Sequence, residues 1–280
     1  MNTKQERTAS LPLRRSLTLI YALSFIIAIV MAAAAIAALL YQTTIYPTDE
    51  LLQSFLPTDV SILLIGLPML LYSMWLTQRG KLMGLLFWPG ALFFVLYNYL
   101  TYVFAMPLNL AFFLHLTLVT LSGYTLMGLV ASIDAKALQQ ELTGAVPERL
   151  GGGILAGLGL LVFLRAISVM GTAIVSQVPI TEIESALNTS DYLIAPAWAI
   201  GGVLLWRRIA FGYVTGLGLL FQASMLFIGL IIFMLFQPFF THVPLVLFDV
   251  VVVFAMGLIC FIPFTLFVRG VVSRRNSIPK

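Results

Sequence analysis

Long apolar runs alternate with short polar breaks along the whole chain. The runs lie at about Ser16 to Tyr41, Val60 to Leu76, Leu82 to Ala105, Leu110 to Ser132, Gly151 to Val175, Tyr192 to Trp206, Phe211 to Phe236 and Pro244 to Val268. A helix that crosses a bilayer needs about 20 apolar residues at a rise of about 1.5 Å each. The pattern therefore predicts an all-α polytopic membrane protein of about eight transmembrane helices. The first run exceeds the apolar core of a cleaved signal peptide, about 7–15 residues, and reads as a retained helix. Its segment Met31 to Ala38, MAAAAIAA, offers a smooth face on which another helix can pack closely.

One polar stretch occurs twice. Pro47 to Asp59, PTDELLQSFLPTD, returns as Pro179 to Asp191, PITEIESALNTSD, and GLLF at Gly84 to Phe87 returns at Gly218 to Phe221. Self-similarity at a fixed displacement marks a repeated structural unit. Leu51, Leu52, Phe55 and Leu56 share one helical face, with Ile183, Ala186 and Leu187 on the equivalent face. Each copy reads as a short amphipathic helix in the outer interface, with Asp59 and Asp191 placed to cap the span that follows. The organisation expected is a tail at 1–15, a four-span repeat at 16–133, a linker at 134–150, a second repeat at 151–270 and a tail at 271–280. Even-numbered units face the same way, as in parallel-repeat transporters.

Composition narrows the class. Of 280 residues, 61% are hydrophobic and 9% charged, against about 25% charged in soluble domains. The lone Cys260 excludes an internal disulfide, a CxxC pair and a cysteine zinc site. The net charge of +4 comes from Lys and Arg at span ends rather than from a basic patch for nucleic acid. With eight spans, the N-terminus, the 79–81 turn, the 134–150 loop, the 207–208 turn and the C-terminus share a side, and every Lys and Arg except Arg165 falls there. The positive-inside rule makes that side, with both termini, cytoplasmic at a cell membrane. Tyr97, Tyr99 and Tyr102 then fit an outer interfacial belt.

The candidate chemistry lies where polar groups interrupt apolar runs. Arg or Asp at a helix centre costs about 2.5–3.5 kcal/mol even on lenient insertion scales, so such residues face the bundle interior and find partners. Arg165, Asp249 and His115 are the ionisable side chains of this kind. The GLLF register makes His115 and Asp249 equivalent and suggests an Arg165–Asp249 ion pair, with His115 and Asn98 nearby. That pair either lines an outward-facing polar pocket or fixes how the halves dock. The outer acids Glu50, Glu182, Asp59 and Asp191 read as helix-start charges that favour the dipole; alternatively Asp49, Glu50, Asp59 or Asp191 is the acid or base of a membrane enzyme. His242, two turns before Asp249, with His115 makes a weak metal pattern, and no metal or cofactor is assigned. The glycines of GGGILAGLG lack the Lys-Ser/Thr of a phosphate loop and read as helix-packing contacts.

No GxSxG elbow, HExxH helix or Walker loop occurs. The leading expectation is a protein that binds or transports a small polar or amphiphilic molecule between the repeats. A membrane enzyme acting on a lipid-linked substrate at the outer leaflet and an assembly subunit of a membrane complex are the alternatives. The bilayer is the expected partner, with a small-molecule or lipid ligand, no nucleic acid, and the oligomeric state left open.

Overall fold

The computed structural model describes residues 11–276, with the side chain of Asn276 outside the description. The sequence-predicted tail charges at Lys4, Arg7 and Lys280 lie outside the described residues. The helices are α1 (Thr18–Leu40), a single turn α2 (Gln42–Ile45), α3 (Asp49–Ser61), α4 (Leu67–Gln78), α5 (Leu82–Ala105), α6 (Leu110–Ser132), α7 (Ala135–Leu142), α8 (Glu148–Ser176), α9 (Glu182–Trp206), α10 (Ala210–Phe240) and α11 (Leu247–Asn276). A π-helical segment, Ile62–Gly66, joins α3 to α4 without a break, so the pair forms one rod of 30 residues, about 45 Å long. Seven helices, counting that rod once, are long and apolar enough to cross a membrane. The chain is an all-α, multi-pass membrane protein. The eighth expected span, α9, is absent from those seven because its first ten residues include Glu182, Glu184 and Asp191.

The repeated stretch does not form separate interfacial helices. Thr48 caps α3 by accepting from Leu51 N–H at 3.3 Å, and Thr181 caps α9 by accepting from Glu184 N–H at 3.1 Å. Each helix then continues straight through the aspartate, so Asp59 and Asp191 are helix-interior residues rather than caps. Nothing at 58–60 or 189–192 breaks the helical backbone. Pro57, which lacks an N–H for the ladder, lies inside α3, and the π-helical segment begins five residues later.

Small residues set the helix spacing. Met31, Ala34, Ala35 and Ala38 form the buried face of α1, as its alanine run predicts. Helices α8 and α9 lie antiparallel in backbone contact: a Cβ on Gly152 would come within 2.5 Å of Trp206 N, and one on Gly159 within 2.4 Å of Ala199 N. At the centre α5 meets α10, where a Cβ on Gly90 would stand 2.1 Å from Gly218 O. Helix α5 is the most buried of the seven spanning candidates. Tyr99 and Tyr102 are fully buried within it, which corrects the expectation of an interfacial belt.

The hairpins α4–α5 and α9–α10 are built alike. Arg79, Gly80, Lys81 and Gly84 donate backbone N–H groups to Trp75, Thr77, Leu76 and Lys81, while Arg207, Arg208, Ile209 and Gly212 donate to Val203, Leu205, Leu204 and Ile209. Gly80 and Arg208 take the left-handed conformation, at φ 69° and 57°. A Cβ on Gly84 would meet Thr77 N at 2.4 Å and one on Gly212 would meet Leu205 N at 2.3 Å. By these contacts Gly84 matches Gly212 rather than Gly218. His115 and Asp249 are accordingly not equivalent: the first is buried within α6, the second exposed in the first turn of α11.

The basic segments gather at one end. Pro12 and Arg14 bond to Asp134 and Ser132, and Arg275 reaches Glu141 at 3.0 Å and Gly80 O at 3.4 Å. Gln139 donates to Arg208 O at 2.6 Å, and Arg208 pairs with the buried Glu148 at 3.7 Å. The 134–150 segment is thus a docked helix, with Leu138 and Leu142 buried, rather than a free polar loop. Asp134 caps α7, and the Ala137 N–H, then Arg14 and Lys136 N–H, hold its carboxyl below the ordinary range.

Two outcomes follow. Gly90→Ala should lose about 1–3 kcal/mol in denaturant titrations because α5 and α10 must separate, whereas Gly153→Ala, with nothing within 4 Å, should hold or gain stability. A depressed carboxyl stabilises above its unfolded pKa and loses that contribution as pH falls through the folded value. The Tm difference between the parent and Asp134→Asn should therefore be present at neutral pH and close below the ordinary aspartate range.

Candidate binding cavity between four helices

A cavity of about 390 Å³ lies between α3, α5, α9 and α10. Its walls are helix faces read at i, i+4, i+7: Ser54, Thr58 and Ser61 on α3, and Phe94, Asn98 and Thr101 on α5. Ile183 and Leu187 of α9 and Leu226, Leu230 and Phe233 of α10 supply apolar surface opposite. The lining runs from Tyr102 down to Phe94, near the middle of α5. Below it the bundle closes where Gly90 meets Gly218.

The polar wall is mostly acceptor. Thr58 Oγ1 donates to Ser54 O at 2.7 Å, Ser61 Oγ lies 3.0 Å from Gly229 O and 3.1 Å from Pro57 O, and Asn98 Nδ2 donates to Phe94 O at 2.8 Å. Thr101 Oγ1 is 3.3 Å from Tyr97 O and 3.1 Å from Ser190 Oγ. A hydroxyl has one hydrogen and two lone pairs. With the Thr58, Ser61 and Thr101 hydrogens directed to backbone carbonyls, the wall offers their lone pairs and the Asn98 carbonyl oxygen, while the Ser54 hydroxyl and the second Asn98 N–H stand beside them as donors.

The carboxyl groups stand behind this wall, each held by a tyrosine of α5. Tyr102 Oη donates to Asp59 Oδ1 at 2.8 Å, and Tyr46 Oη donates to Asp59 Oδ2. Burial, and then the adjacent Asp59 carboxyl, keep the Tyr46 phenol well above its ordinary range, so it remains a donor. Tyr97 Oη donates to Asp191 Oδ1 at 2.8 Å, while Arg165 Nη2 lies 3.0 Å from Asp191 Oδ2. Asp59 is 2% exposed, whereas the Arg165 side chain, near the middle of α8, is 55% exposed. The imidazole of His115 packs on Tyr102 at 4.7 Å and Tyr99 at 5.6 Å between ring centroids. His115 Nδ1 and Tyr99 Oη have no hydrogen-bond partner among the described residues.

Of the sequence-predicted site residues, Asn98 alone lines the cavity. The expected Arg165–Asp249 pair does not form: Arg165 pairs with Asp191, and Asp249 sits exposed at the start of α11. The reason is local: Asp191 lies on the helix packed against α8, in register with Arg165. Asp59 and Asp191 accept from Tyr102 and Tyr97, which line the cavity in their place, and Glu50 and Glu182 are exposed in the first turns of α3 and α9, where the helix dipole favours acids. No group of three His, Cys, Asp or Glu side chains is close enough to hold a metal among the described residues. The stripe Ser54, Thr58, Ser61 was missed, although its hydroxyls recur on one face within a spanning helix. No family model, curated protein or solved structure matches the chain.

Burial ranks the two carboxyl contacts. Tyr102→Phe strips a donor from a buried oxygen and should cost about 1–3 kcal/mol. Arg165→Met opens a half-exposed pair and should cost about 0–1 kcal/mol. Denaturant titration of both variants in the same detergent checks the order.

Proposed function

We propose that the protein binds a small amphiphilic molecule that donates hydrogen bonds, such as a neutral alcohol, amide or amine with an apolar body. The observation that carries this reading is the pairing of an acceptor-rich wall on α3 and α5 with an aliphatic wall on α9 and α10 around one cavity. Ligand sites are typically concave and mostly apolar with a few placed polar groups. The carboxyl groups are already engaged by Tyr102, Tyr46 and Tyr97, which favours binding over acid–base chemistry at the outer surface.

The same reading takes α1 to α6 and α8 to α11 as two copies of one unit, with α9 as an eighth crossing. The matched α4–α5 and α9–α10 turns support it, as does the contact of Gly90 with Gly218, which the Gly84–Gly212 register makes equivalent. Helix α9 lies against α8 from Arg165–Asp191 to Gly152–Trp206, so its polar first turns belong to the outer end. The gathered basic segments face the cytoplasm of a cell membrane by the positive-inside rule. Transport, if it accompanies binding, requires α5 and α10 to part at Gly90 and Gly218.

Thermal-shift titration of purified protein with homologous alkyl diols, alkyl amides and alkylamines tests the proposal. A binder at about 100 times its Kd should stabilise by about 2.7 kcal/mol. Asn98→Leu, which removes one acceptor worth about 0.5–1.5 kcal/mol, should weaken it about 2- to 12-fold. Stabilisation that is unchanged in Asn98→Leu and in the cavity-filling Leu226→Trp would refute the cavity as the site.

A further inference from the structure

A second hollow lies in the inner half, on a different side of α5. It has a volume of about 280 Å³ and is apolar almost throughout, walled by Leu126, Met127 and Val130 of α6 and by Ile200 and Leu204 of α9, with Phe211 at the start of α10. Its floor is shaped by missing side chains: Gly90, Gly201 and Gly218 line it. Met127 is 59% exposed and Ile200 is 61% exposed, so the hollow opens sideways, toward the acyl chains of a bilayer.

Its inner mouth is basic. Ile200, Leu204 and Arg207 follow i, i+4, i+7 on α9, which carries the groove face directly to Arg207. On the other side, Lys136, Gln139 and Thr143 share one face of α7. Gln139 and Thr143 on that face bond to Arg208 O of the α9–α10 turn and to Tyr213 Oη in the first turn of α10, so the face that carries Lys136, one helical turn nearer α6, is the one turned to this junction. Arg207 and Lys136 are exposed, and neither side chain has an ion-pair or hydrogen-bond partner among the described residues. The neighbouring Arg208 is already committed to Glu148.

We propose that this groove is a site for an anionic glycerophospholipid, with one acyl chain in the hollow and the phosphate between Arg207 and Lys136. Basic pockets between membrane helices on the cytoplasmic side hold anionic headgroups. A free apolar hollow open to lipid takes a chain without loss of protein–protein contacts. A partner helix would use the apolar walls but has no need of two unpaired cations at their end. This site is independent of the Asn98 cavity, shares no lining residue with it, and stands or falls separately.

Native mass spectrometry of the delipidated full-length protein, titrated with dioleoyl phosphatidylglycerol or dioleoyl phosphatidylcholine, is the test. The phosphatidylglycerol adduct should form about tenfold more tightly, equal to about 1.4 kcal/mol. Arg207→Gln with Lys136→Gln should erase the preference. Ile200→Trp, which fills the groove from its lipid-facing edge, should weaken the adduct while the Tm holds, and glycerol 3-phosphate, a headgroup without a chain, should not compete. Arg269→Gln, on a helix that does not line the groove, should leave binding unchanged. Equal binding of the two lipids, a preference that survives the double substitution, or an adduct indifferent to Ile200→Trp would each overturn the proposal. Binding lost in Ile200→Trp but blind to headgroup charge would point instead to an apolar partner, and would overturn it equally.

Discussion

A carboxyl group carried inside an apolar helix must find its donors within the protein, because hydrocarbon supplies none. Asp59 on α3, within a spanning rod, places that demand on this bundle, and the half-buried Asp191 on α9 likewise takes its donors from within the protein. Helix α5 meets both, through Tyr102 and Tyr97. Its position follows: to reach α3 on one side and α9 on the other, α5 must run between them, buried along most of its length. The tyrosines that satisfy the acids also form part of the cavity wall. Anchoring and cavity formation are consequences of one arrangement.

Close backbone approach is the complementary requirement. Without a hydrophobic force between helices in lipid, association relies on packing, and small residues permit it. Gly152 and Gly159 bring α8 against α9, and Gly90 with Gly218 brings α5 against α10. The contact at Gly90 closes the bundle beneath the Asn98 cavity, while the absent side chains of Gly90, Gly201 and Gly218 leave the apolar groove. A single crossing point thus separates a cavity with one polar wall from a crevice that is apolar almost throughout.

Much of the fold could be read from periodicity and length: α1, α5, α6, α8 and α10 lie within a few residues of the apolar runs, α11 extends two turns past its run, and the alanine and glycine faces pack as their spacing suggests. The site was less legible. Asp59 and Asp191 resemble caps in a linear reading because each precedes an apolar run, and only the continuous α3–α4 rod and α9 show them as interior residues. The Arg165 partner was misjudged because the GLLF match sets a register different from that of the turns, which pair Gly84 with Gly212. Tyr97, Tyr99 and Tyr102 look like a lipid-interface cluster by composition. Whether a tyrosine faces lipid or a carboxyl group depends on which helix takes the centre, a tertiary fact that local pattern does not carry.

The most direct test of the role of α5 is a double-mutant cycle on Tyr97→Phe and Asp191→Asn, read by denaturant titration in one detergent. A donor–acceptor contact that anchors α9 to α5 should give a coupling energy of about 0.5–3 kcal/mol. Additivity within about 0.3–0.5 kcal/mol would contradict it, and α5 would then hold α9 by packing alone.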